Sequence, residues 1–166
     1  MKKRKIHAGE FIWIILLICV AADLVFVLLI KSDALRIALL RANKTISLVS
    51  ISIGVFLLIS GSIMGYVTHE EFNRAVSESG KVKYLIRDGF FKFVRHPFYL
   101  SLILLSFSLV LFFYSYILLA GWVLVTSTLV REARKEEILL IEEFGEEYVV
   151  YQSKTGMFFP KLVNRK

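Results

Sequence analysis

Apolar residues in this chain gather into long runs instead of recurring at the spacing of a surface helix or strand. The first run covers 11–30 and is interrupted only by Asp23; the second covers 46–67 and the third 98–130, both without a charge. Lipid offers backbone groups no partner except one another, so roughly 20 apolar residues wound as a helix cross a hydrocarbon core about 30 Å thick. The first two runs each fit one crossing. The third would be about 50 Å long as a single helix, which predicts a hairpin of two short helices turning near Tyr114 and Ser115. No Gly or Pro marks that turn, and a strongly tilted single helix continuing out of the membrane is the alternative.

Two polar segments complete the pattern. Residues 68–95 interleave charges with Gly80, Gly89 and the cluster Phe90, Phe91 and Phe93, and read as a short interfacial helix followed by a loop. Residues 131–166 open with Ile138, Leu139, Ile141, Phe144, Tyr148 and Tyr151 at three- and four-residue spacing opposite an acidic face. This predicts an amphipathic helix lying on the membrane or on the protein. Gly145 interrupts it at a cost of about 1 kcal/mol relative to Ala, so a break is expected there. The expected fold is all-α: a polytopic membrane bundle of about four membrane-embedded helices, two spans plus the hairpin, with a cytosolic C-terminal helical segment. Residues 1–166 form a single membrane domain in this reading, without repeats or low-complexity linkers.

Composition agrees, with 57% hydrophobic residues among 166. The basic residues orient the chain, because cytoplasmic loops carry their excess. With four crossings, both termini and the 68–97 loop share one side, which holds 17 of the 21 Lys and Arg residues and is expected to be cytoplasmic. A net charge of +7 raises nucleic acid as a partner. The basic residues flank apolar runs and no nucleic-acid motif accompanies them, so anionic lipid headgroups are the expected partner. A cleavable signal peptide is the competing reading of the first run, set against it because the apolar stretch continues to Ile30. Cys19 is the single cysteine, which leaves neither an internal disulfide nor a cysteine metal cluster, and no metal is expected.

The candidate chemistry lies where the loop meets the third run. Arg95, His96 and Pro97 can be read simply: Pro97 begins a helix while Arg95 and His96 reach the headgroups. Their company favours function. Lys83, Tyr84, Leu85, Ile86, Arg87, Asp88, Gly89, Phe90, Phe91, Lys92, Phe93 and Val94 lead into Arg95, His96, Pro97, Phe98 and Tyr99. Glu136, Glu137, Leu140, Phe144, Gly145, Tyr148, Tyr151 and Pro160 follow the third run. These blocks, over roughly 80–162, resemble the isoprenylcysteine carboxyl methyltransferases and their phospholipid methyltransferase relatives. The resemblance implies S-adenosyl-L-methionine as cofactor, an all-helical fold, and a site formed by the 68–97 loop and the 131–166 segment. It implies cofactor binding by Lys83, Tyr84, Leu85, Ile86, Phe91, His96, Pro97, Phe98, Tyr99 and Glu136. Arg131 is carried over as a substrate-binding residue.

The residue types suit that task. Aromatic faces such as Phe91 and Tyr99 attract a sulfonium and stack on adenine. A carboxylate such as Glu136 accepts charge-assisted bonds from ammonium or hydroxyl groups, and His96 can donate to a carboxylate or an adenine nitrogen. Methyl transfer rests on positioning and exclusion of water, and no general base is assigned. The competing reading of Glu136 and Glu137 is a solvated helix face, to which Glu142, Glu143, Glu146 and Glu147 are assigned. Glu132 and Met157 stand where the carboxyl methyltransferases carry Arg, which weakens carboxylate recognition. The acceptor is therefore expected to be lipophilic, with prenylcysteine carboxyl, lipid amine and thiol all open. Two further classes are considered: a sterol-reductase-like membrane enzyme using NADPH, and a small transporter with Asp23 as an ion-coupling carboxylate.

Overall fold

The computed structural model describes residues 44–75 and 83–161. The first apolar run, with Cys19 and Asp23, lies outside them. Among the described residues the chain is helical and has no strand; an isolated bridge pairs Val94 with Gly156. The elements are α1 (Lys44–Ala75), a 3-10 turn (Gly89–Lys92), α2 (Pro97–Phe113), α3 (Tyr116–Phe144) and α4 (Glu146–Lys154). α1 and α3 are long and apolar enough to cross a membrane, and α2 is a shorter apolar helix.

The third apolar run divides into α2 and α3 at Tyr114 and Ser115, where the hydrophobic length argument puts the turn. Its second helix is not short. α3 runs unbroken for 29 residues through the charged segment, so the amphipathic stretch from Glu132 continues a helix that begins at Tyr116. α1 likewise carries on past its apolar run to Ala75, replacing the separate interfacial helix expected after Thr68. Both extensions follow from cooperativity: adding a residue to an existing helix gains a hydrogen bond, whereas a new helix must be nucleated. The chain does break at Gly145, whose φ of 57° ends α3 and admits the turn into α4.

The described residues cluster into two compact units. The first comprises 44–58 and 103–129. Its buried apolar residues are Val110, Leu111, Leu118, Val125 and Leu129. α1 and α2 meet closely at Gly54, where a Cβ would stand 2.6 Å from the Phe112 ring. The indole of Trp122 packs on Phe107 at 4.8 Å between centroids and donates from Nε1 to the Ile103 carbonyl at 3.1 Å. Tyr114 adopts φ 52°, a conformation costing a non-glycine residue about 1–2 kcal/mol. Its phenol lies 2.8 Å from the Ser47 hydroxyl, which offsets part of that cost.

The second unit comprises 59–75, 83–102 and 130–161. α1 and α2 approach again at Gly65, where a Cβ would lie 2.9 Å from the Ser101 hydroxyl. The Lys83 amide donates to the Ala75 carbonyl at 2.8 Å. After α4 the chain folds back as a strap, and the amides of Arg95 and His96 donate to the Gly156 and Met157 carbonyls at 2.8 and 3.2 Å.

Burial is inverted relative to a protein in water. Phe56, Ile59, Ile63 and Tyr66 of α1 are exposed, whereas Thr68, Ser101, Ser106, Ser108 and Ser115 are buried. Buried hydroxyls return hydrogen bonds to their own helix, as Thr68 does to Met64 at 2.7 Å and Ser108 to Leu105 at 2.7 Å. Small residues let helices approach while large apolar ones face lipid, the arrangement a bilayer favours.

Candidate active site

The second unit gathers its buried charges where the loop enters α2. Arg95 and His96 immediately precede Pro97, which as the first helical residue has no N–H to leave unpaired. Glu136 and Glu137 lie on α3 beyond the end of its uncharged run at Val130, and so outside the long apolar part of that helix. The Arg95 and Glu137 side chains are 7% and 10% exposed, respectively. Arg95 therefore does not reach toward headgroups. Its Nε donates to Glu137 Oε1 at 2.7 Å, and its Nη1 donates to the carbonyls of Gln152, at 3.2 Å, and Thr155. A planar guanidinium with several fixed donors suits this junction of α3, α4 and the strap.

His96 lies between the two carboxylates. Its Nε2 is 3.3 Å from Glu137 Oε1 and its Nδ1 3.5 Å from Glu136 Oε2. The ring stacks on Tyr99 at 5.6 Å and meets Phe158 of the strap at 6.1 Å. Gln152 Nε2 donates to the remaining Glu137 oxygen at 3.0 Å. Burial pushes the His96 pKa down, but hydrogen bonds and charge from Glu136 and Glu137 outweigh it, and the net shift is upward. Burial pushes the Glu137 carboxyl up, yet His96 and Arg95 together lower it to about 2.

Around this core, Tyr151 donates to the Phe91 carbonyl at 2.6 Å, tying α4 to the 3-10 turn. Burial and the nearby Glu137 carboxylate push the Tyr148 phenol up. Its hydroxyl is buried with no hydrogen-bond partner among the described residues.

Of the residues singled out by sequence, His96, Tyr99 and Glu136 come together, and Tyr99 faces the Glu136 carboxylate. Phe98 adjoins Tyr99 at 6.3 Å and lies 6.1 Å from His69. Pro97 is buried at the head of α2. Phe91 enters through its backbone. Lys83 to Ile86 are irregular chain; Lys83 and Tyr84 are exposed, and the Lys83 amide is tied to the Ala75 carbonyl. Arg131 is exposed on α3. Glu142, Glu143, Glu146 and Glu147 are exposed as expected, with Glu147 2.8 Å from Arg87.

Arg95, Glu137 and Gln152 are the members that sequence reasoning did not assign. A signal existed: adjacent cations at 95–96 and adjacent anions at 136–137 bracket an uncharged run. Charges at the edges of one apolar hairpin are cheapest when they neutralise one another.

Apolar membrane-length helices, and a cluster in which Arg95, His96 and Glu137 are buried and Glu136 is partly open, define a membrane protein with a largely enclosed polar site. The chain belongs to the isoprenylcysteine carboxyl methyltransferase (ICMT) family, whose model matches residues 53–142, and the family implies a membrane methyltransferase. No curated protein matches the chain.

Proposed function

We propose that this protein transfers a methyl group from S-adenosyl-L-methionine to a lipophilic acceptor resident in the membrane. Family membership supports methyl transfer, and the carrying observation is the partly exposed Glu136 carboxylate beside buried His96 and Tyr99. With a side chain 32% exposed, Glu136 has room for a ligand that Glu137 lacks.

The residues present fit the cofactor chemically. Glu136 would hold an ammonium or ribose hydroxyl, and the faces of Phe98, Tyr99 and Phe158 would take adenine or the sulfonium. The buried Tyr148 hydroxyl adds a donor. When bound, S-adenosyl-L-methionine supplies an electrophilic methyl group on a sulfonium. The protein's share is to bind, align and exclude water, since displacement at that carbon needs an in-line nucleophile more than a covalent catalyst. Lys83 to Ile86 belong to this proposal as residues of the flanking loop. Multi-pass topology with both termini cytoplasmic also belongs to it, and places the charged ends of α1 and α3 on the cytoplasmic side.

A lipid amine or thiol is favoured over a carboxylate as acceptor. Glu132, where the carboxyl methyltransferases carry Arg, is itself an anion and pairs with Lys135 at 2.6 Å. Calorimetric titration of S-adenosyl-L-methionine into the protein in nanodiscs tests the cofactor assignment. Wild type is expected to bind, and folded His96→Ala and Glu136→Gln variants to bind at least about tenfold more weakly, the loss of one charge-assisted bond. Absence of binding to wild type, or equal binding by both variants, refutes it.

A further inference from the structure

Glu136 and Glu137 are neighbours in sequence, yet the structure gives them different surroundings. Glu137 is enclosed and fully engaged: one oxygen takes Arg95 and His96, and the other takes Gln152. Glu136 remains partly open and meets His96 through the opposite ring nitrogen. A neutral imidazole has one N–H and one lone pair, so it can donate to only one of two carboxylates and must present the lone pair to the other. Carboxylates on both nitrogens therefore call for the imidazolium.

We propose that Glu137 is a positioning residue that, with Arg95, holds His96 as a cation donating from both ring nitrogens, so that His96 in turn orients Glu136 toward the ligand. Charge balance supports this assignment. Arg95 and an imidazolium match the two carboxylates one for one, whereas a neutral His96 leaves an uncompensated anion in a largely buried site. The groups facing His96 come from each surrounding element. Arg95 adjoins it in the chain, Glu136 and Glu137 face it from α3, and Tyr99 stacks on it from α2. Phe158 comes from the strap, and neutral Gln152 from α4 acts through Glu137. No further cation in this set could replace the ring proton.

The inference rests on the proposed function only for what Glu136 meets; the protonation of His96 stands apart from it. The test is nitrogen NMR of the imidazoles in the full chain in nanodiscs, with His7→Gln and His69→Gln variants used for assignment. In wild type at neutral pH, both His96 nitrogens are expected to be protonated. In Glu137→Gln, which keeps the side chain's shape and loses its charge, the titration midpoint should fall by at least about one pH unit. Glu137→Asp keeps the charge but withdraws it by one methylene, and should give a smaller fall; it serves as the second variant if the amide does not fold.

S-adenosyl-L-methionine affinity is read alongside. In Glu137→Gln it should drop by about tenfold at neutral pH and recover at acid pH, where His96 is protonated again. A structural defect alone would weaken binding equally at every pH, and that result overturns the proposal. So does a wild-type His96 that is neutral at neutral pH, or a midpoint unmoved by both variants. If wild type binds no S-adenosyl-L-methionine, the cofactor reading fails while the histidine titration still decides this one.

Discussion

Replacing Arg95 with Met keeps the length and apolar stem of the side chain and removes its donors. The structure sets the cost. The guanidinium joins an enclosed carboxylate on α3 to the Gln152 and Thr155 carbonyls. Removing one partner of a buried ion pair costs about 3–5 kcal/mol, because the remaining charge stays desolvated. His96 and Gln152 still solvate Glu137, so the lower end, about 3 kcal/mol, is expected here. Arg95→Lys retains charge but presents a point cation instead of a planar fork. About half the loss should remain.

The energy is lost locally, where Arg95 fastens the strap. The amides of Arg95 and His96 donate to strap carbonyls, so their hydrogen exchange reports strap opening. A cost of about 3 kcal/mol corresponds to about a hundredfold faster exchange when opening limits the rate through its equilibrium. Exchange mass spectrometry in nanodiscs, with the segment containing Phe107 and Trp122 as an internal control, measures it. Exchange at Arg95 and His96 changed by less than about threefold in a folded Arg95→Met protein would refute the view that this side chain holds the strap.

Three further outcomes follow from the same geometry. The pH dependence of stability has two limbs: the Glu137 contribution is present above its ordinary 4.5 and lost as pH falls toward about 2. The His96 contribution is full below 6.5 and lost as pH rises through its elevated folded value, so thermal unfolding across pH should show a plateau between the limbs. Gly156→Ala would drive a Cβ into the Phe159 carbonyl oxygen; the strap should be destabilised by about 3 kcal/mol, at the upper end for overpacking, and this should appear as faster proteolysis after Thr155. Tyr151→Phe removes the 2.6 Å bond to Phe91 and should lower stability by about 1 kcal/mol in equilibrium unfolding, with His96 titration unchanged.

The parts of the fold legible in the sequence were those fixed by length and backbone chemistry. An uncharged run too long for one crossing had to turn near its middle, and it turns at Tyr114 and Ser115 without Gly or Pro. The turn was hard to see because a tyrosine carries the positive φ, and its phenol finds Ser47 far along the chain. Gly145, by contrast, announced itself. The strap after α4 gave no comparable signal: its bonds to Arg95 and His96 are made by carbonyls that any residue supplies.

The carboxylates teach the subtler point. A three- and four-residue apolar spacing gives the width of a helix face and not which solvent it meets. Ile138, Leu139 and Ile141 were expected on a face lying against the membrane or the protein, with the acids opposite; in the structure those three are exposed, while Ala133 and Glu137 are buried. Near a bilayer an apolar stripe can satisfy itself against lipid and leave the polar face to the protein. That reversal holds only while cations are available inside. Arg95 and His96 supply them at 136–137, whereas Glu142 and Glu143 have no such partners among the described residues and are exposed. The line between a buried functional acid and a solvated one in α3 is thus drawn by the reach of the Arg–His pair at the head of α2.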